Sequence, residues 1–175
     1  SQFFVPRLNR TQLQQVIEEP VTLSGNRITR RLTERLIHDI SEGVDQLPIL
    51  QHALNQIWHA ASQGTEEMDL IHYAMVGGMS AHELPDDQVT KFKQWFSKQP
   101  DTSKLFYQEP NLQNVLDTHA NKLYESAAEQ VRIKTSKVLS RETTKEVIRT
   151  TFVCLTKIDE GRAVRNRMTL REIHS

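Results

Sequence analysis

Apolar residues recur along the chain at intervals of three and four, the spacing that lays side chains along one face of an α-helix. The strongest run is Leu47, Leu50, Leu54, Ile57, Trp58 and Ala61. It predicts a helix over Pro48–Ser62. Pro48 falls in the first turn, where its missing N–H has no intrahelical acceptor to lose. Gly43 reads as the stop of the preceding helix, about Thr29–Ser41, which turns Leu32, Leu36, Ile37 and Ile40 inward and Arg30, Arg31, Glu34 and Arg35 outward. Upstream, Asn9 is placed to cap a helix, with Gln12 reaching back to the Asn9 N–H. Leu13, Val16 and Ile17 form its stripe, and Pro20 is expected to end it.

Gln63-Gly64-Thr65 breaks the third helix. Asp69–Val76 predicts a short fourth one with Leu70, Tyr73 and Val76 inward, ended by Gly77-Gly78. Pro85-Asp86-Asp87 opens a helix carrying Val89, Phe92, Trp95 and Phe96, and Pro100-Asp101 closes it. A long helix follows, from Pro110 to about Thr135, with Leu112, Val115, Leu116, His119, Leu123 and Ala127 on one side. Ser140 and Thr143 suggest a cap for a helix over Arg141–Lys157, striped by Val147, Ile148, Thr151, Phe152 and Leu155. Asp159-Glu160-Gly161 reads as a turn, Ala163–Met168 as a short extended piece, and Thr169 as the cap of a last helix beginning at Leu170. The expected fold class is therefore all-α, about seven helices in a bundle, with little or no β-structure.

Composition narrows the possibilities. The 175 residues hold 22 Lys plus Arg against 22 Asp plus Glu, so no global positive charge draws nucleic acid or anionic lipid. A helical chain that is 37% hydrophobic and 25% charged suits a folded globular protein. No apolar run approaches the roughly 18 residues that cross a bilayer. The only cysteine, Cys154, has no internal partner for a disulfide, which leads to a reducing, cytoplasmic location as the expectation. The start, Ser1-Gln-Phe-Phe-Val-Pro, lacks the basic and apolar regions of a signal peptide and reads as a boundary within a longer protein.

The residue chemistry points away from catalysis by this stretch. The seven histidines stand at 38, 52, 59, 72, 82, 119 and 174, with no i, i+4 pair of the kind that holds zinc on a helix, so no metal site is expected. Cys154 stands beside Leu155 on an apolar stripe and reads as a small buried hydrophobe. Glu18-Glu19, Glu66-Glu67 and Asp86-Asp87 are chain neighbours, and such neighbours do not face one another on a helix, so they form no acid/base pair. No glycine is followed by lysine, and the phosphate-cradling Gly-x-x-x-x-Gly-Lys-Ser/Thr pattern is absent. No catalytic residue is expected. The densest positive cluster is Arg162, Arg165, Arg167 and Arg171, and guanidinium groups suit phosphate.

Several stretches, in this order, resemble the novel STAND NTPases, bacterial signalling ATPases related to the AAA+ fold. Phe4-Val5-Pro6-Arg7-Leu8-x-Arg10-x-Gln12-Leu13 with Ile17-x-x-Pro20 is similar to the segment that follows the ATPase core. Leu32-x-x-x-Leu36-x-x-Asp39, then Gln46-Leu47-Pro48-Ile49-Leu50-Gln51-His52-Ala53-Leu54 and Trp58, resembles the next block. Tyr73-x-x-x-Gly77-Gly78 and Leu116-x-x-His119-Ala120-x-x-x-Tyr124 follow, and Phe152 through Arg165-x-Arg167-x-x-Leu170 is similar to the winged-helix region. The resemblance covers about Phe4–Gly78 and Leu116–Ile173.

The resemblance implies an AAA+ lid-like helical subdomain over residues 1–79, a helical insertion over 80–109 and a truncated winged-helix-like domain over 110–175. It implies a regulatory part of a signalling switch, not catalytic by itself, whose partner is the P-loop ATPase core of its own parent chain. The parent would use ATP/ADP with Mg; no cofactor is expected for this stretch alone. In the family a Gly-x-Pro motif places its proline against adenine, and Pro48 is the matching residue; here Asp45 and Gln46 precede Leu47-Pro48, and the nearest glycine is Gly43. Arg165 and Arg167 are the candidates for phosphate contact. No residue matches the family's winged-helix histidine, since His174 lacks its Met-His-Asp setting. A second reading is a helical protein–protein interaction module that presents Phe92, Trp95 and Phe96 to a partner.

Overall fold

The structure is a computed structural model and describes residues 8–40, 47–104, 107–134, 140–159 and 162–168. They are mostly helical, with one two-stranded hairpin among them. The chain falls into two compact units divided between His119 and Ala120. The predicted helix opening at Thr169 and the turn residues Glu160 and Gly161 lie outside the described residues, as do His174, Arg171, Gly43 and Asp45.

The first unit begins with α1 (Arg10–Leu23). Asn9 and Gln12 form the expected capping box: each side chain accepts from the other residue's backbone N–H at 2.9 Å. Leu13, Ile17 and Val21 are the buried stripe. Pro20 does not end this helix; the chain continues helically to Leu23, and Ser24 N–H reaches the Pro20 carbonyl at 3.1 Å. A proline removes only its own donor, which costs the Val16 carbonyl its partner. Pro20 and its neighbour Glu19 are exposed, so water is available at this part of the helix, while Val21 on the next position retains core contact.

Helix α2 (Arg30–Ile40) buries Leu32, Leu36, Ile37 and Ile40 as expected, and Thr33 as well. Helix α3 (Leu47–Ala60) buries Leu50, Ala53 and Ile57, with Ala61 continuing the line. Leu54 and Trp58 flank that line half-buried, and Leu47 is exposed, so the buried face is rotated towards Ala53 relative to the sequence expectation. A 3-10 turn, Ser62–Gly64, follows. The loops before α2 and α4 are joined where Thr29 N–H donates to the Met68 carbonyl and Met68 N–H to the Arg27 carbonyl, both at 2.9 Å.

Helix α4 (Leu70–Met75) is buried along its whole length rather than on one face. It packs against α2, α3 and α5, so a helix this short has no side left for water. Tyr73 is fully buried and donates to Asp39 at 2.9 Å. The chain turns out of α4 at Gly77, whose φ of 87° is left-handed. At Gly78 a Cβ would lie 1.8 Å from the Tyr73 ring.

A second 3-10 turn, Ala81–Glu83, precedes α5 (Asp86–Ser97) and the short α6 (Asp101–Lys104). Leu84 and Phe92 belong to the same buried cluster as α1–α4, and Val89, Trp95 and Phe96 pack half-buried on it. Phe96 and Tyr107 meet edge to face at 5.5 Å, and Tyr107 donates to the Met75 carbonyl at 2.9 Å. Helix α7 (Leu112–Lys134) starts in this unit with Leu112, Val115 and Thr118 buried. Asn114 donates to the Gly77 carbonyl at 3.0 Å, tying α7 to the turn after α4. Leu112 and Val115 are inward as expected, whereas Leu116 is exposed and Thr118 is buried in its stead.

The second unit holds the rest of α7, α8 (Arg141–Cys154) and the antiparallel pair β1 (Thr156–Asp159) and β2 (Arg162–Arg165), in register Thr156↔Arg165 to Asp159↔Arg162. Ser140 caps α8 by accepting from Thr143 N–H at 3.0 Å. Tyr124 donates to the Lys145 carbonyl at 3.2 Å, and the Lys145 ammonium pairs with Glu125 and lies 5.2 Å from the Tyr124 ring centre. The helix stops at Cys154, not Lys157. Leu155 closes it, and Asn166 fastens the return strand to this end by donating to the Cys154 and Leu155 carbonyls at 2.9 and 2.7 Å. The predicted stripe of α8 is also shifted: Thr144 is buried, Ile148, Thr151 and Leu155 are half-buried, and Val147 and Phe152 are exposed. Leu123 on α7, expected inward, is exposed as well.

Candidate functional site

Pro48 is the second residue of α3 and is exposed, as is Leu47 before it. Two positions on, Leu50 is fully buried and fixes the helix start to the core. The proline ring is thus held on a rigid element yet is not used in packing. Further along α3, Gln51, Leu54 and Trp58 line an apolar groove of about 910 Å³, whose other wall is α1 through Val16, Pro20 and Leu23. Leu23 on this wall is 87% exposed. Pro48 lies one turn before Gln51 and is outside the groove's lining.

Arg165 ends β2 opposite Thr156 and is exposed; Arg167, two residues on, is exposed too. They belong to the second unit and Pro48 to the first. Phe92, Trp95 and Phe96 form a ring cluster, with Phe92 stacked on Phe96 at 5.7 Å and 5.6 Å from Trp95. Phe92 is 5% exposed, so it faces the core rather than solvent.

The most elaborate polar arrangement escaped the sequence reading. Asp69 caps α4 and gathers three partners distant in sequence: it accepts from Thr29 at 2.7 Å, from Arg31 Nε at 2.7 Å and from Gln88 at 2.6 Å. It also accepts from the Leu70 N–H at 2.8 Å, while Gln88 accepts from the Ile71 N–H at 2.8 Å. Burial alone would raise the Asp69 carboxyl, but the hydrogen bonds from Arg31 and Thr29 outweigh it and hold it down at about 2. Beside it, burial lowers the His72 imidazole below its ordinary value against the pull of Glu66. His72 Nδ1 accepts from the Asp69 N–H at 3.1 Å. A second network links Arg35 to Asp39 at 2.9 Å and to Glu83 at 2.6 Å. The sequence reading placed Asp69 inside the fourth helix, whereas it caps that helix from outside; its partners stand 40, 38 and 19 residues away.

These networks have the character of structural joints. Every carboxylate in them has a cationic or hydrogen-bonding partner, and no group of three or more His, Cys, Asp or Glu placed to hold a metal occurs among the described residues. Among the described residues no helix is long and apolar enough to cross a membrane.

The fold thus defines a mostly helical protein in two units, with a compact first unit that presents a proline at the start of its central helix. Residues 1–84 match the model of the family Novel STAND NTPase 1, and this match supports a STAND NTPase relationship for that stretch. No curated protein and no solved structure matches the chain.

Proposed function

We propose that this chain is the regulatory lid and winged-helix portion of a STAND-type signalling ATPase switch and does no chemistry alone. The observation that carries the reading is the family match over residues 1–84, which spans α1–α4 and includes Pro48 on the exposed start of α3. A lid must close on a nucleotide as a rigid body, and the single buried cluster shared by α1–α5 supplies that rigidity. In the second unit, a helix running into an antiparallel hairpin supports the winged-helix assignment.

In this reading Pro48 contacts the adenine of ADP, and Arg165 and Arg167 contact phosphate in the closed state, with Mg held by the parent's P-loop core. Bound nucleotide supplies the signal; this chain's residues supply its retention. In the intact parent, Pro48→Ala is expected to speed release of a fluorescent ADP several-fold, while Arg165→Ala weakens retention in a salt-dependent way. Release rates unchanged in both variants would sink the proposal. The isolated chain is expected to show no Mg-dependent ATP turnover.

A further inference from the structure

The fold brings together two histidines 67 residues apart in sequence. His52, on α3, and His119, on the first-unit part of α7, face each other with His119 Nδ1 3.1 Å from His52 Nε2. The ring centres are 4.9 Å apart and the planes 26° from parallel. Both rings are half-buried, on helices anchored by the fully buried Ala53 and by Val115 at 1% exposure. A neutral imidazole carries one N–H and one lone pair, so at this distance one ring donates to the other.

We propose that His52 and His119 form a two-histidine chelate for a late first-row divalent cation, zinc being the type case. The separation fits the bite of such an ion. With metal–nitrogen bonds of about 2.0–2.1 Å, two ligands at roughly 90–110° have nitrogens about 2.9–3.4 Å apart. The observed 3.1 Å lies inside that range. Imidazole is the donor type that suits zinc, copper and nickel. Binding needs a lone pair from each facing nitrogen, so the ion takes the place of the proton shared between them. Water completes the coordination shell, which distinguishes this chelate from a closed structural site of three or four protein ligands. The ion would clamp α3 to the start of α7. This site stands apart from the nucleotide reading, since neither Pro48 nor the arginines take part.

The test uses the untagged 175-residue chain. Thermal unfolding is followed after removal of metal with EDTA and then with zinc chloride added. At zinc one hundredfold above its dissociation constant, the midpoint is expected to rise by roughly 5–10 °C. His52→Gln and His119→Gln should each abolish most of that rise, while His59→Gln, on an exposed position, keeps it. No rise in the unaltered chain overturns the proposal, and so does a rise that both single variants retain. Copper(II) spin resonance of the unaltered chain gives a reading independent of how the variants fold. Hyperfine structure from two imidazole nitrogens is expected, and a spectrum with one or none overturns the proposal.

Discussion

At the scale of single residues, Gly78 and Tyr73 show how closely this core is drawn. Tyr73 is fully buried, and its ring occupies the place where a Gly78 side chain would begin. Its hydroxyl is held by Asp39, and burial together with that carboxylate pushes the phenol above its ordinary range, so it stays protonated as a donor. Gly78→Ala cannot be absorbed by a flexible side-chain tip, because the obstacle is a ring fixed at both ends. We expect a loss of stability above about 2 kcal/mol, measured by urea unfolding, the size associated with overpacking a core. A loss under about 0.5 kcal/mol would show that the ring can move aside. The sequence marked Tyr73 and Gly77-Gly78 as a motif; the contact between Tyr73 and Gly78 is a property of the folded turn.

At the scale of elements, Asp69 is the tie between α2, α4 and α5. Its carboxylate is held at about 2 when folded against an ordinary 3.8, so the folded state gains stability above the ordinary value and loses it as pH falls from about 4 towards 2. That difference corresponds to about 2 kcal/mol. His72 acts in the same sense at higher pH: its folded imidazole is harder to protonate than in the unfolded chain, so stability begins to fall as pH drops below about 6.5. Asp69→Asn is expected to lower the urea midpoint at pH 7 and to flatten the acid limb below pH 4. An unchanged acid limb would place the sensitive carboxylate elsewhere. Neither effect was legible in the sequence, which placed Asp69 at the start of the fourth helix and showed none of its distant partners.

At the scale of the whole molecule, the described residues of the two units differ in how much they bury. The first contains fully buried Ile17, Leu32, Leu36, Leu50 and Ile57. In the second, Thr144 is buried, whereas Phe152 and Val153 on α8 are 67% and 65% exposed. Local opening is easier where fewer apolar contacts close over the backbone. Amides of α2–α4 are therefore expected to exchange with solvent at least about a hundredfold more slowly than those of α8, read by mass spectrometry. Equal protection would mean that the units unfold together.

The helices were legible because the three-and-four spacing of Leu32, Leu36, Ile37 and Ile40, or of Leu50, Leu54 and Ile57, is local and strong. The capping box at Asn9 was legible because both partners lie within one turn. The place of Pro48 at a helix start was legible because a proline ahead of an apolar stripe fits a first turn. Other features required the folded chain. Pro20 sits inside α1, because a missing donor at an exposed position is tolerated while the stripe continues to Val21. Thr156–Asp159 is a strand because Arg162–Arg165 pairs with it, and a periodicity reading cannot see that partner. The buried faces of α3 and α8 are turned from the most hydrophobic choice, and Leu116 and Leu123 on α7 are left outside, because neighbours decide which face is covered.

By itself, the sequence determined a helical chain, the order of its main helices, the place of Pro48 at a helix start and the STAND-like character of its first part. Tertiary structure alone decided that α4 is buried on every side, that Asp69 joins three helices and that His52 meets His119. Local propensity and spacing act within a turn or two, so a single chain displays them. Contacts between residues tens of positions apart exist only once hydrophobic burial has set the helices against one another.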